Sequence, residues 1–247
     1  RMKISVPYTF KKVCLDVPIF ETEDKELKIA YVNINGLFTG KSDLFINNDR
    51  NLLKLDILCI ADTRLSKNQR SKEVEARLSN WEVLCRFDAI EISGKIHMGL
   101  LLLQSKASLD SDLELEWSTK QWIKGTDTVD EIIAQSIVLK CPEYDVTFMY
   151  IRQTPTFNDV KRINETTKHS QIIMGDLNLD ANRDDDLQKL TVLLGNDKKR
   201  VLHEITTTRN NQLDHVLFTQ GLSSEYYCTS FYNYTTDHRV ISIRIPF

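Results

Sequence analysis

Short runs of apolar residues recur along the chain from Leu27 onward, and most of them span four to eight positions. They are rich in isoleucine, valine, leucine and aromatic residues, which is typical of buried β-strands. Several runs are apolar at successive positions, which indicates a sheet that is covered on both faces. The predicted strands are 27–34, 55–60, 81–87, 98–105, 132–139, 146–151, 171–174, 213–219 and 240–245.

Helical patterns lie between these runs. Two segments begin with the residue spacing of a capping box, and a third begins with three acidic residues, which favour a helix N-terminus. These starts are Ser66 with Gln69, Thr156 with Asp159, and the acidic trio at 184–186. A stripe of leucines at 187, 190, 193 and 194 is interpreted as core packing, and Gly195 can end that helix. The interleaving of helices and strands predicts an α/β or α+β class.

The length of 247 residues favours a single domain, and 41% hydrophobic residues allow it to bury a sizeable core. The first 26 residues read differently, because prolines and an acidic stretch replace the recurring apolar runs. We therefore predict an N-terminal extension or linker over 1–26 and one folded domain over 27–247. The five cysteines include no C-x-x-C pair, which argues against a disulfide scaffold or a zinc knuckle and fits a reducing compartment.

The net charge of −3 lacks the basic footprint of many nucleic-acid-binding proteins, although acids gathered in a metal site would offset such a footprint. The longest apolar run, 98–103, is far too short to span a bilayer, and no signal peptide is visible. The sequence therefore predicts a protein that is not anchored in a membrane and resides inside the cell.

Polar residues cluster where the apolar runs end, which is where sites on sheet scaffolds usually lie. Taken singly, a strand-end aspartate or asparagine could merely cap a turn through its own backbone, and a lone histidine is more often structural than catalytic. Five places stand out: 33–36 (Asn-Ile-Asn-Gly), 62–63 (Asp-Thr), Tyr150, 175–178 (Gly-Asp-Leu-Asn), and the related pair 213–215 (Leu-Asp-His) and 236–238 (Thr-Asp-His).

In chain order these motifs resemble the exonuclease–endonuclease–phosphatase superfamily, which has the fold of DNase I, abasic-site endonucleases and the endonuclease domains of LINE-type retrotransposons. The resemblance covers roughly residues 27 to 247. Its matching segments are 27–37 with the asparagine loop, 59–63 where Gln-Glu-Thr is usual, 174–178 with Gly-Asp-x-Asn, 212–218 with Leu-Asp-His, and the terminal 236–238. The resemblance implies an α/β fold: a four-layered α/β sandwich of two packed, mainly antiparallel β-sheets flanked by helices.

The resemblance also implies a bound Mg²⁺, for which Mn²⁺ is a possible substitute. Asp62 would hold the ion, because Mg²⁺ prefers carboxylate and water oxygens, and Asn35 and Asp237 would lie on the metal side. The ion would polarise a phosphate oxygen and neutralise developing charge. Asp62 is one methylene shorter than the glutamate that is usual at this position.

The remaining motif residues would act on the scissile phosphate. The resemblance assigns Asp176 to positioning or deprotonating the attacking water, and His238 to a non-bridging oxygen as an imidazolium. Asp214 would pair with His238, fixing its tautomer and raising its pKa. The other predicted catalytic residues are Asn33 and Asn178, which would orient the ion's shell and the phosphate, and Tyr150, which would donate to the phosphate.

Binding of DNA requires cations that face its phosphates. Arg64, Arg152, Arg209 and Arg239 lie near the motif loops and are the predicted substrate-binding residues, with Lys41 and Lys67 as further candidates. Arg152 falls where related endonucleases often continue with proline and asparagine after the tyrosine. An aromatic segment, 226–234, could enter a groove of the substrate, or it could form an edge of the fold that packs on the core.

Tyr150 helps to choose a branch, because DNase I and the sphingomyelinases usually carry histidine there, whereas abasic-site and retrotransposon endonucleases carry tyrosine. The resemblance therefore implies a Mg²⁺-dependent DNA endonuclease, located in the nucleus, that nicks one strand and leaves a 3′-hydroxyl. It would belong to a mobile element, with other domains of a polyprotein as possible partners, or to a protein derived from one. The alternatives are an abasic-site repair endonuclease, a catalytically degenerate binding module of the same fold, and, less favoured, a phosphoinositide or sphingomyelin phosphodiesterase.

Overall fold

Two six-stranded sheets form the centre of the computed structural model, which describes residues 26–39, 41–92, 94–107, 115–126, 129–141, 144–195, 197–201, 206–220, 222, 227–231 and 235–246. The strands are β1 (Glu26–Asn33), β2 (Ile57–Ala61), β3 (Trp81–Phe87), β4 (Ile90–Ile92), β5 (Lys95–His97), β6 (Leu100–Ser105), β7 (Glu116–Thr126), β8 (Val129–Lys140), β9 (Asp145–Ile151), β10 (Ile172–Asp176), β11 (Lys198–Arg200), β12 (Asp214–Thr219), β13 (Tyr227–Phe231) and β14 (Val240–Pro246). The helices are α1 (Ser42–Asn48), α2 (Ser71–Arg77), α3 (Phe157–Thr167) and α4 (Asp184–Leu194), with a 3-10 turn at Leu52–Lys54.

The order of strands is β13-β14-β1-β2-β6-β3 in the first sheet and β11-β12-β10-β9-β8-β7 in the second. One pair in each sheet is parallel, β1 with β2 and β9 with β10, and the other pairings within these sheets are antiparallel. The two sheets are thus mainly antiparallel, as predicted.

The helices complete four layers. A central core of alternate residues from both sheets, such as Tyr31 and Phe148, lies between them. On its outer face the first sheet buries Phe45 of α1 and Val74 of α2, and the second sheet buries Ile163 of α3. Because one sheet supplies apolar side chains to both of its faces, its strands have near-continuous apolar sequences. The predicted four-layered α/β sandwich is confirmed.

Two sequence interpretations of local structure were wrong in part. The capping-box pattern at Ser66 makes its hydrogen bond, from the Ser66 amide to Gln69 Oε1 at 2.9 Å, yet α2 begins only at Ser71. Leu187 of the leucine stripe is 42% exposed, although Leu190 and Leu193 are buried. The charged run 198–200, whose composition alone favours a solvated turn, forms β11 against β12.

Other interpretations lie partly outside the described residues. The extension over 1–26 is described only at Glu26, where β1 begins, and of the aromatic segment 226–234 only β13 at the sheet edge is described. The four described cysteines are free thiols. None of the helices in the described part of the chain has the length and hydrophobicity needed to cross a membrane.

Candidate active site

A cavity of about 220 Å³ opens where strands of both sheets end. The parallel pairs bring the carboxyl ends of β1 and β2 together in one sheet and those of β9 and β10 in the other. The residues that line the cavity are Asn33, Asn35, Asp62, Tyr150, Asp176, Asn178, Leu213, Asp237 and His238. Eight of the nine residues predicted as catalytic or metal-binding therefore line this cavity, and the ninth, Asp214, contacts His238 from behind.

Asp176 is held at the cavity floor by two donors. Its Oδ2 accepts a hydrogen bond from Asn33 Nδ2 at 2.8 Å, and its Oδ1 accepts one from the Asn178 amide at 3.0 Å. Gly175 precedes it with a φ of +151°, and a Cβ at that position would lie 1.9 Å from the Met149 carbonyl oxygen. The glycine of the Gly-Asp-x-Asn motif thus permits the close approach of β10 to β9.

Burial shifts the pKa of Asp176 upward, to about 7, since the side chain is removed from water. The neighbouring His238 lowers this pKa and Asp214 raises it, while the hydrogen bonds from Asn33 and Asn178 lower it. A carboxylate that gains and loses its proton near neutral pH has the basicity required of a general base.

His238 lies between two carboxylates. Its Nδ1 is 2.9 Å from Asp214 Oδ2, and its Nε2 is 3.9 Å from Asp176 Oδ2. Burial lowers the pKa of His238, but the charges of Asp214, Asp176 and Asp237 and the hydrogen bond to Asp214 outweigh it and raise the pKa to about 10. The ring is therefore an imidazolium at neutral pH, with one N–H on Asp214 and the other toward the cavity.

Thr206 fixes the backbone of Asp214 and was not predicted from the sequence. Its buried Oγ1 accepts hydrogen bonds from the amides of Leu213 and Asp214, at 3.1 and 3.0 Å. The same segment pairs with the residues around His238, since the Arg239 amide donates to the Thr206 carbonyl at 2.8 Å and Thr207 forms a β-bridge with His238. The sequence analysis named only Arg209 of this segment, whose side chain is exposed.

Replacement of Thr206 by valine is expected to lower the free energy of unfolding by about 1–3 kcal/mol, because two buried amides lose their acceptor. Urea unfolding followed by circular dichroism measures the change. Thr208→Val, the same substitution at an exposed position two residues away, is the matched control. Equal stability of the two variants would contradict this role of Thr206.

Asp62 and Asn35 form the opposite wall with Arg64. Asp62 Oδ1 accepts from the Met98 amide at 2.9 Å, and Oδ2 accepts from Arg64 Nη2, also at 2.9 Å. The same Nη2 donates to Asn35 Oδ1. Asn35, Asp62 and Arg64 all have a φ near +50°, a region that non-glycine residues rarely adopt and that is often found at functional sites.

The donor set fits a divalent cation. Oxygens of Asp62 and Asn35, from two different loops, converge on one cationic nitrogen, and carboxylate and amide oxygens are ligands that Mg²⁺ prefers. Asp176, Asp214 and His238 also have ligand atoms within 4.8 Å of one another. Since the imidazolium must lose its proton before it can bind a metal, the wall formed by Asp62 and Asn35 is the better cation site.

Tyr150 is 6% exposed and lines the cavity. Burial raises its pKa well above the usual value, and the charges of Asp62 and Asp176 raise it further, so the phenol keeps its proton and can donate. Tyr31, which the sequence analysis did not single out, is fully buried behind Asp176 and Asp214; burial, followed by those two charges, raises its pKa as well.

The four predicted substrate-binding arginines separate into two groups. Arg64 and Arg209 contact residues that line the cavity: Arg64 pairs with Asp62, and Arg209 Nε lies 3.8 Å from Asp237 with its side chain 81% exposed. Arg152 and Arg239 do not line the cavity, and Arg239 donates to Ser230 Oγ at 3.3 Å. The structure therefore brings only two of the four arginines to the site.

No family model matches the chain, and no curated protein matches it in sequence. Solved structures, by contrast, match the chain in fold. The AP endonuclease LMAP from Leishmania major superposes with a TM-score of 0.62 at 13% identity, covering 90% of this chain and 88% of that one. An AP endonuclease from Archaeoglobus fulgidus gives 0.62 at 15% identity (88% and 98%).

The endonuclease domain of TRAS1, a telomere-specific non-LTR retrotransposon, gives a TM-score of 0.57 at 13% identity, covering 90% of this chain and 99% of that one. Similarity at these identities establishes the architecture, and function has to be argued from the site itself. The chain has the DNase I-like fold of the exonuclease–endonuclease–phosphatase proteins, as its motifs predicted.

Proposed function

We propose that the chain is a metal-dependent phosphodiester hydrolase that nicks one strand of DNA and leaves a 3′-hydroxyl. The observation that carries this proposal is the pair on the cavity wall: Asp176, with a pKa near 7, and the imidazolium of His238, 3.9 Å away. A group that accepts a proton beside a group that carries positive charge suits attack by water on a phosphate.

In the proposed mechanism Asp176 takes a proton from the attacking water. The water oxygen bonds to phosphorus, the bond from phosphorus to the 3′ oxygen breaks, and the departing 3′ oxygen takes a proton from solvent, so that the products are a 3′-hydroxyl and a 5′-phosphate. His238 donates from Nε2 to a non-bridging oxygen, where negative charge grows, while Asp214 holds the ring in place. The phenol of Tyr150 donates to the same phosphate.

A bound Mg²⁺ or Mn²⁺ would be held by Asp62 and Asn35, with Asp237 on the same side, and would supply charge neutralisation at the phosphate. Asn33 and Asn178 position the catalytic carboxylate, because the Asn33 side-chain amide and the Asn178 backbone amide both donate hydrogen bonds to Asp176. The phosphate contact predicted for Arg64 requires its guanidinium to leave Asp62, whereas Arg209 is already exposed at the rim of the cavity.

DNA is the proposed substrate because the AP endonucleases and the TRAS1 endonuclease domain share this fold. A nuclear location and further domains of a mobile-element polyprotein are parts of the same proposal. An abasic-site repair endonuclease is the second candidate, supported by the two AP endonucleases among the similar structures. A binding module without turnover is the third, supported by the salt bridge that already engages Asp62.

A 5′-labelled duplex distinguishes these candidates. One copy is intact and the other carries a single abasic site, each is incubated with Mg²⁺ and the chain, and a DNA polymerase is then added. Cleavage of the intact duplex with ends that the polymerase extends supports the proposed nicking activity. Cleavage confined to the abasic duplex supports the repair candidate, and binding without cleavage of either duplex supports the non-catalytic module.

The rate of cleavage is expected to rise with pH through about 7, because Asp176 must lose its proton to act as a base. It is expected to fall again near 10, where His238 loses its positive charge. Below the lower midpoint kcat/KM should change by about tenfold per pH unit. Asp214→Asn should move the alkaline limb to lower pH, since the main attraction that raises the pKa of His238 is removed. A flat profile from acidic to neutral pH would contradict the role of Asp176.

A further inference from the structure

Arg64 holds the position between Asp62 and Asn35 where a divalent cation would be expected. Its Nη2 donates to oxygens of both residues, and its Nε donates to Asp62 Oδ2 at 3.2 Å. One guanidinium thus satisfies two oxygens that belong to separate loops. A positively charged group at this point stabilises the negative charge of Asp62, as a metal ion would.

The backbone that directs Arg64 to this position is fixed on both sides. The amides of Thr63 and Arg64 donate to the carbonyls of Gly99 and Met98, at 3.2 and 3.0 Å. On the other side the Gly36 amide donates to the Asp62 carbonyl at 2.8 Å. With positive φ values at Asp62 and Arg64, this anchored turn brings a side chain back onto the carboxylate two positions earlier.

The guanidinium can nevertheless leave. The Arg64 side chain is 38% exposed, whereas that of Asp62 is only 7% exposed. Water compensates the partly exposed guanidinium for the loss of the ion pair, so the cost of breaking the pair falls mainly on Asp62. The buried carboxylate, by contrast, has Oδ1 committed to the Met98 amide and needs a positive charge at Oδ2.

We propose that Arg64 is an intramolecular competitor of the divalent ion, so that metal binding at Asp62 and Asn35 requires displacement of the Arg64 guanidinium. This inference rests on the proposed function in assigning the metal to these two residues. As a consequence, the chain binds the metal more weakly than its oxygen ligands alone would. Arg64 is released toward the cavity mouth whenever the ion binds.

Removal of the competitor should strengthen metal binding. The ion can bind only after the ion pair between Arg64 and Asp62 is broken, and the lost attraction of two unit charges at close range corresponds to roughly tenfold weaker metal binding at low ionic strength. The difference should shrink as salt screens the charges. Arg64→Gln removes the charge and keeps a polar, shorter side chain at a partly exposed position.

Titration of Mn²⁺ into the chain without DNA, with free Mn²⁺ followed by electron paramagnetic resonance, tests the proposal independently of cleavage. Arg64→Gln is expected to bind Mn²⁺ roughly tenfold more tightly than the unchanged chain. Lys72→Gln, which removes the same charge from an exposed position on α2, is the matched control and should leave the affinity unchanged.

Adding Asp62→Asn to Arg64→Gln should abolish the gain, and circular dichroism reports whether each variant is folded. Unchanged or weaker binding by a folded Arg64→Gln variant would overturn the proposal, as would an equal gain in Lys72→Gln. Absence of Mn²⁺ binding in every variant would overturn it as well. Because no substrate is present, a failure of DNA cleavage would contradict the proposed function without altering this result.

Discussion

Replacement of Asp176 by asparagine is expected to slow nicking by roughly a thousandfold at slightly alkaline pH, the middle of the range for loss of a general base. Asparagine has nearly the same size and remains in reach of Asn33 and Asn178, but its amide cannot take the proton of the attacking water. The rate is measured as conversion of supercoiled plasmid to open circles under single-turnover conditions.

The control for this variant is Asp185→Asn, which removes one negative charge from a side chain that is 69% exposed on α4. It should nick at the rate of the unchanged chain. Thermal unfolding of both variants shows whether Asp176→Asn remains folded. A folded Asp176→Asn variant with more than a tenth of the original rate would show that another group activates the water.

Replacement of His238 by alanine is expected to lower the nicking rate by about 10²–10³, the usual cost of removing one donor that stabilises transition-state charge. The reason is the loss of the imidazolium Nε2–H, which Asp214 keeps protonated and oriented. The variant also leaves Asp214, which is fully buried, without its histidine partner, so a lower free energy of unfolding is expected too.

Two comparisons separate catalysis from folding in that variant. Free imidazole added to His238→Ala should restore part of the nicking rate, because the missing side chain leaves a space of matching size. His169→Ala, which removes an exposed histidine, should change neither rate nor stability. A His238→Ala variant that is folded and nicks at the original rate would contradict the assigned role.

The predicted strands that were right share one physical cause. Strands such as β2 and β10 are buried on both faces, so apolar residues run without interruption up to the polar residue that ends them. β7 was missed because it has no such apolar run: its residues from 116 to 120 are exposed at a sheet edge. α1 was also missed, because in seven residues it buries only Phe45 and Ile46 of its apolar side chains.

The run 198–200 shows how tertiary contacts override local composition. Three charged residues favour a solvated turn when read alone. In the fold they pair with β12, and the Lys198 ammonium is buried against the Lys168 carbonyl at 3.2 Å. A charged residue can occupy a buried position when a fixed acceptor satisfies it, and no pattern within the run reveals that acceptor.

The sequence predicted which residues form the site but not which contacts they make. The resemblance placed Asn33, Asp176 and His238 in one site, although Asn33 and Asp176 are 143 positions apart. It did not indicate that Arg64 would lie on Asp62, because that contact depends on backbone angles near +50° that the residue types do not favour. It also did not reveal Thr206, whose importance arises only from where its hydroxyl points.

Metal-dependent nicking of supercoiled plasmid by the unchanged chain, compared directly with Asp176→Asn, tests the central claim most directly. With Mg²⁺ or Mn²⁺ the unchanged chain is expected to convert supercoiled plasmid to open circles, EDTA is expected to stop the reaction, and Asp176→Asn is expected to give almost none. Equal nicking by both proteins, or plasmid left intact by the unchanged chain with either metal, would contradict the assignment of this cavity as a nuclease active site.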